Sequence, residues 1–414
     1  MRGPGAPLPK WARWPLSDRA TEKAAVSALR DGRWAISSLN PGGPLWNEVF
    51  AKRFAAELGV KHVLPVCNGS AALTVALDAI GVCRRDEVLM PVLTWVGCAT
   101  SVLRVGARPR FVDIDPRTLC MDPAAVKRGV TPRTRAILAV HTYSSMAEMT
   151  LLRELAEERG LLLIEDASHM PGAAWKSRPA GTLGDVGVFS FQSSKLLTCG
   201  EGGCIVTNDP GLALRSESLS TDGRRLGRTS PGRSGRLVPG GGPMGPNYCL
   251  SEIQAAILVS QLERLRGRNL RRLKRAEQLF RLVDERESPV EFQGVYAAQS
   301  KRAFYGLPVR LKKGRGSKSR DEAMARVHRR CHLETETLYP PIPSSPLFRP
   351  GPSLSPDGDS MVERNRWAQT RAPIAARAFA EWLVVPQLAL LSSTDNVDML
   401  GRAILDAASV AAIV

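Results

Sequence analysis

The stretch "VGVFSFQSSKLLTCGEGGCIVTND", residues 186–209, decides how the chain is read. Its two ends, 186–192 and 203–209, are short runs of apolar and β-branched residues that read as buried strands. Between them stand one lysine, Lys195, and glycines at 200, 202 and 203. A flexible ammonium group placed where a buried strand runs out needs a chemical reason.

Similar runs recur on both sides. "KHVLPVC" (61–67), "DEVLMPVLTW" (86–95), "ARPRFVDID" (107–115), "TRAILAVHTY" (134–143) and "GLLLIEDAS" (160–168) read as strands. Helical stretches lie between some of them. "SAALTVALDAIG" places Leu73, Leu77 and Ile80 on one face, and "MTLLRELAEERG" is a second helix. This alternation predicts an α/β domain on a mostly parallel sheet. A Gly/Pro/Arg-rich stretch follows at 222–246. Residues 247–286 then read as one long helix with the capping-box pattern Ser251-x-x-Gln254 and core positions at Ile253, Ile257 and Leu262. The expected organisation is an N-terminal arm (1–40), a large α/β domain (41–260), and a linking helix with a small α+β domain (261–414).

The chain has 414 residues, 43% apolar and 23% charged, enough for a sizeable core. No apolar run is long enough to span a membrane, and the first residues lack the apolar core of a secretory signal. Eight scattered cysteines without a CxxC pair argue against a zinc site or a disulfide framework, and for a reducing cytoplasm. Cys199 and Cys204 read as small buried hydrophobes. The net charge of +17 raises nucleic acid as a partner. The excess gathers at 224–236, 264–275 and 310–320, without interleaved aromatics for base stacking. We read these as a mobile loop, a solvated helix face and a linker, with attraction of an anionic small substrate as an intermediate reading.

Three features carry chemistry. In "CNGSAAL" (67–73) a strand ends and Gly69-Ser70 opens a helix, which suits a phosphate or serves capping alone. "LLLIEDASH" (161–169) delivers Glu165 and Asp166 to a strand's C-terminal end, where open α/β sheets bind ligands; a helix cap is the alternative for Asp166. Lys195 is either a Schiff-base lysine or a surface lysine at a strand end. Together, a phosphate cradle, a buried acid for a ring nitrogen and a lysine for an aldehyde are what pyridoxal 5′-phosphate requires.

With "NGSAAL", "EDASHMPGA", "GDVGVFSFQSSKLLTCGEGG" and "PNYCLSEIQAAIL", the chain resembles the DegT/DnrJ/EryC1/StrS aminotransferases of the aspartate-aminotransferase fold (PLP fold type I). The resemblance implies that Lys195 holds the cofactor and Asp166 keeps its pyridine nitrogen protonated. It implies that Trp95 stacks on the ring with His169 beside it, and that Gly69, Ser70 and Ser190 bind the phosphate. Asn247 would reach the phosphate of a neighbouring subunit, making a homodimer with shared sites. "DGRWAIS" (31–37) and "NYCLSE" look most like enzymes that aminate scyllo-inosose or 2-deoxy-scyllo-inosose from L-glutamine in aminocyclitol antibiotic synthesis. "SSLNPGGPLW" (37–46) and Gln387, where the family often has histidine, depart from the pattern. Rival readings are a nucleotide-ketosugar aminotransferase, a 3-amino-5-hydroxybenzoate synthase-like enzyme, and a non-catalytic regulator or RNA binder on the same scaffold. No metal is expected.

Overall fold

The computed structural model describes residues 9–38, 45–227, 237–283, 289–311, 320–354 and 367–409. Helices α1 (Arg19–Arg30) and α2 (Trp46–Leu58) precede a seven-stranded sheet. Its strands are β1 (His62–Val66), β2 (Glu87–Pro91), β3 (Arg108–Val112), β4 (Thr134–Val140), β5 (Leu162–Asp166), β8 (Val186–Ser190) and β9 (Gly203–Thr207), with a small hairpin β6 (Ala174–Trp175) and β7 (Arg178–Pro179) before β8. The spatial order is β1-β9-β8-β5-β4-β2-β3. Only β9 runs against its neighbours, so β1, β2, β4, β5 and β8 all end at one edge. That edge is where the chemistry-bearing loops begin.

Both sheet faces are covered, which explains strands that read as continuous apolar runs. Helices α3 (Gly69–Ala79), α4 (Gly97–Arg104) and α7 (Pro210–Ser220) pack on one face, with Leu73 and Leu77 of α3 and its C-cap Ile80 buried as expected. Helices α2, α6 (Met149–Arg159) and α8 (Glu252–Leu282) cover the other, where Phe50 and Phe54 meet Phe189 and Phe191 edge-on; the short α5 (Pro123–Gly129) lies beside β3. The alternation along β5 points Leu163 and Glu165 to the second face, and Ile164 and Asp166 to the first.

Helix α8 starts later than the sequence reading had it. Ser251 is its N-cap and accepts from the Gln254 N–H, whereas 247–250 run extended, with Asn247 bridged to Thr221 and Cys249 to Val66. Its buried stripe is Ala255, Leu258, Val259 and Leu265; Ile257 and Leu262 only border the core, and Ile253 is half-buried. The boundary at residue 260 falls inside this helix. Its first half packs on the large sheet's core, and Ala276 and Leu279 belong to a second core. That second core is roofed by β12 (Val290–Phe292), β13 (Gly306–Leu311), β14 (Glu336–Thr337) and β15 (Trp382–Pro386), paired as β12-β13-β15-β14, with helices at Arg320–Cys331 and Thr394–Ser409. A hairpin of β10 (Arg224–Leu226) and β11 (Leu237–Pro239) stands before α8.

The expected solvated helix face at 264–275 is corrected. Arg266, Arg271 and Lys274 are exposed, but Arg264, Arg268, Arg272 and Arg275 form a stripe at helical spacing that is spent on protein contacts. Arg264 pairs with Asp18, Arg268 binds Gln261 and the Leu16 carbonyl, and Arg275 donates to the Ser392 carbonyl. Trp14 of the N-terminal arm covers Arg268 and Arg272, 5.4 and 4.9 Å from ring to guanidinium carbon. Most of the expected mobile loop (228–236) and linker (312–319), and most of "SSLNPGGPLW", lie outside the described residues. Among the described residues no helix is long and apolar enough to cross a membrane, and no cluster of metal ligands occurs.

Candidate active site

At the shared strand edge lies a cleft of about 570 Å³. Seven of the eight expected site residues line it: Gly69, Ser70, Trp95, Asp166, His169, Ser190 and Lys195. Asn247 does not; it is exposed, and its Oδ1 accepts from the Cys249 N–H at 3.1 Å.

The phosphate-cradle geometry begins at α3. Asn68 caps it by accepting from the Ala71 N–H at 2.8 Å, so the cap role falls to Asn68 and leaves the Gly69 and Ser70 N–H groups at a helix N-terminus. A Cβ at Gly69 would lie 2.7 Å from the Ser190 Cβ, so only glycine lets the end of β8 approach this turn. Trp95, half exposed, stands at the mouth before α4, its ring 5.9 Å from that of Tyr339.

The two carboxylates of β5 have separate fates. Glu165 is fully buried and accepts from the Gly181, Leu183 and Gly184 N–H groups at 2.6, 2.7 and 3.3 Å. His141 also donates to it: its Nδ1 accepts from the Ala147 N–H, so Nε2 carries the proton shared with Glu165 at 2.7 Å. Glu165 is thus consumed by the protein itself. Asp166 turns into the cleft, with Oδ1 accepting from the Ser168 N–H at 3.0 Å and Oδ2 from the Cys98 thiol at 3.4 Å. Burial and then the Asp166 charge hold the Cys98 pKa well up, so the thiol stays protonated and donates.

Lys195 does not directly follow the end of its strand, as the sequence suggested. Strand β8 stops at Ser190, and Lys195 closes a turn in which its own N–H donates to the Gln192 carbonyl at 2.8 Å. Its ammonium lies 4.2 Å from the Tyr305 ring centroid. His169 stacks on Tyr305 at 3.9 Å, and its Nδ1 accepts from the Tyr143 N–H at 3.0 Å. Burial, with the Lys195 charge second, pushes the His169 pKa well down, so the ring is neutral with its proton on Nε2.

Sequence reasoning missed Cys98, Tyr305, Tyr339 and Glu336, which also line the cleft. Three of the chain's five tyrosines (143, 305 and 339) cluster here, and that scarcity was the one available signal. Charge is distributed against expectation. The cleft's charged side chains are Lys195, Asp166, Glu201 and Glu336, with no arginine among the described lining residues, so the basic surplus lies elsewhere.

Residues 17–367 match the model of the DegT/DnrJ/EryC1/StrS aminotransferase family. The chain belongs to that family. It is 39% identical over 412 residues to an L-glutamine:scyllo-inosose aminotransferase of Streptomyces griseus, covering 97% of this chain and 95% of that one. An L-glutamine:2-deoxy-scyllo-inosose aminotransferase of Streptoalloteichus tenebrarius is 46% identical over 311 residues, 72% of this chain and 73% of its own. The crystal structure of 3-amino-5-hydroxybenzoic acid synthase superposes with a TM-score of 0.82 at 29% identity, covering 97% of this chain and 100% of that chain. This aminotransferase therefore has the fold of the PLP-dependent transferases of fold type I, and its cleft occupies the ligand edge of an α/β sheet.

Proposed function

We propose that this aminotransferase uses pyridoxal 5′-phosphate to move an amino group from an amino acid, L-glutamine, to an uncharged cyclitol ketone of the scyllo-inosose or 2-deoxy-scyllo-inosose type in aminocyclitol synthesis. The observation that carries the reading is the convergence of Lys195, Asp166 and the α3 N-terminus on one cleft. The residues fit the cofactor. Gly69, Ser70 and Ser190 would hold its phosphate where a Cβ has no room, Asp166 would meet its ring nitrogen, and Trp95 would cover its ring beside His169. Bound there, the cofactor supplies an electrophilic carbon and a ring that takes up electron density. Lys195 would hold that carbon at rest and, once displaced, would carry the proton to and from the substrate carbon.

With no arginine among its described lining residues, the cleft supports a neutral polyol ketone over a nucleotide-linked sugar, whose phosphates would meet Glu201 and Glu336. Among the described lining residues no guanidinium meets the donor's own carboxylate either, which supports a site completed by a second chain, with Asn247 reaching across. The free thiols support a reducing cytoplasm as its place of work. The test compares kcat/KM for scyllo-inosose, 2-deoxy-scyllo-inosose and a nucleotide-linked ketosugar with L-glutamine as donor. Preference for the nucleotide sugar would overturn the substrate reading. Borohydride fixation of the cofactor on a lysine other than Lys195 would overturn the site itself.

A further inference from the structure

Arg272 is fully buried, yet no carboxylate among the described residues pairs with it. Its Nε has no hydrogen-bond partner, and burial, together with the Arg268 charge, pushes its pKa down to about 9. Burying a guanidinium without an anion is costly. Besides the Trp14 ring 4.9 Å away, the guanidinium's partners are two neutral amides. One Nη donates to the Gln387 Oε1 at 2.5 Å, and the other to the Asn269 Oδ1 at 2.9 Å.

Each amide passes the contact on to a backbone carbonyl beside the active site. Gln387, just past β15 in the small domain, donates its Nε2 to the Ser194 carbonyl, the oxygen of the peptide that joins Lys195. Asn269, also on α8, donates its Nδ2 to the Pro171 carbonyl at 2.9 Å, two residues beyond His169. That approach leaves no space at Gly172, where a Cβ would lie 2.6 Å from the Asn269 Nδ2 and where φ is +89°. The two loops so held are the ones whose side chains meet on Tyr305.

We propose that Arg272 is a positioning residue, acting through Gln387 on the Lys195 turn and through Asn269 on the His169 loop. A guanidinium hydrogen-bonded to an amide oxygen polarises that amide and strengthens its N–H as a donor. The Ser194–Lys195 peptide plane is thereby fixed from behind, and the lysine leaves it in one direction. Because Gln387 belongs to the small domain, the seating of that domain is tied to the aim of the lysine. Arg272 itself does not line the cleft.

Gln387 both accepts from Arg272 and donates to Ser194, and the relay is tested at both ends. Arg272→Met leaves the Gln387–Ser194 bond in place and should quicken backbone hydrogen exchange over 192–197 at least about threefold. Parent-like exchange there would overturn the part of Arg272. Three substitutions at Gln387 vary what it can do. Gln387→His can do both. Gln387→Glu can only accept, and Gln387→Met cannot donate and carries no charge. Backbone hydrogen exchange over 192–197, followed on the cofactor-free chain, should quicken at least about tenfold in the Glu and Met variants and stay within about threefold in the His variant. In the loaded enzyme, kcat should fall roughly ten- to hundredfold in the Glu and Met variants with KM little changed, and recover in the His variant. The kcat comparison rests on Lys195 being the cofactor-bearing lysine; the exchange comparison does not. Should Gln387→Met fail to fold, Gln387→Glu, which keeps a partner for Arg272, decides alone. Parent-like exchange in Gln387→Glu, equal losses in the Glu and His variants, or fast exchange with parent-like kcat would each overturn the role.

Discussion

The Lys195 ammonium sits 4.2 Å from the centroid of the Tyr305 ring. An aromatic face attracts a cation by about 0.5–2 kcal/mol, so the ring fixes the charged lysine in the cleft. The Tyr305 hydroxyl meets the Ser194 Oγ at 2.9 Å, offering a second link to the same turn. Tyr305→Phe keeps the ring and should retain kcat within about threefold. Tyr305→Leu should lose roughly tenfold, the kinetic equivalent of about 1.4 kcal/mol. Equal losses in the two variants would place the effect in the hydroxyl instead.

Glu165 and Asp166 are adjacent and should fail in opposite ways. Glu165→Ala strands three backbone N–H groups and His141, at about 1–3 kcal/mol for each buried donor, so the expected result is a loss of about 3 kcal/mol or more in denaturant unfolding. Asp166→Asn should unfold at nearly the parent midpoint and retain cofactor, while turnover falls by roughly 10²-fold or more. Near-normal turnover in Asp166→Asn would remove it from the mechanism.

His169 gives stability a pH dependence. Its pKa in the folded chain is well below the ordinary value of 6.5 because burial, then the Lys195 charge, disfavours the cation. The unfolded chain therefore binds more protons below about pH 6.5, and stability falls as the pH drops from there toward the folded pKa, by up to about 1.4 kcal/mol per unit. Asn can still accept from the Tyr143 N–H. Unfolding of cofactor-free His169→Asn should accordingly show a shallower loss between pH 6.5 and 5 than the parent. Identical slopes would mean that His169 carries no such coupling.

How far the sequence spoke depended on the range of the contacts involved. The parallel sheet was legible because strands covered on both faces become apolar runs with turn residues between them, as 134–140 and 162–166 show. Asp166, which leaves such a strand end directly, followed from the same pattern, whereas Ser190 was implied only by the family resemblance. Lys195 was placed at the end of a strand read as 186–192, whereas that strand stops at Ser190 and the turn-formers Ser193 and Ser194 lead the chain through a turn to the lysine. Tyr305 lies 110 residues further along and meets Lys195 only after the small domain docks, a relation that no local pattern encodes. The arginines at 264, 268, 272 and 275 did carry a signal, since their spacing puts them on one helix face, but charge alone suggested solvent.

The exposed Asn247 lies outside its own chain's cleft, and a shared site predicts complementation between two dead variants. Lys195→Ala removes the lysine, and Asn247→Asp sets a negative charge where a phosphate is to be met. Each homodimer should be inactive. If Asn247 acts across the interface, a heterodimer of the two variants has one site carrying both lesions and one site free of either. Co-refolded mixtures should then regain activity approaching half the wild-type value for each heterodimer. If Asn247 only accepts from the Cys249 N–H within its own chain, every heterodimer site keeps one lesion and the mixture stays dead. Differently tagged chains, purified through both tags, ensure that the assay reads heterodimers alone. Purified heterodimers without recovered turnover would return Asn247 to a purely local role.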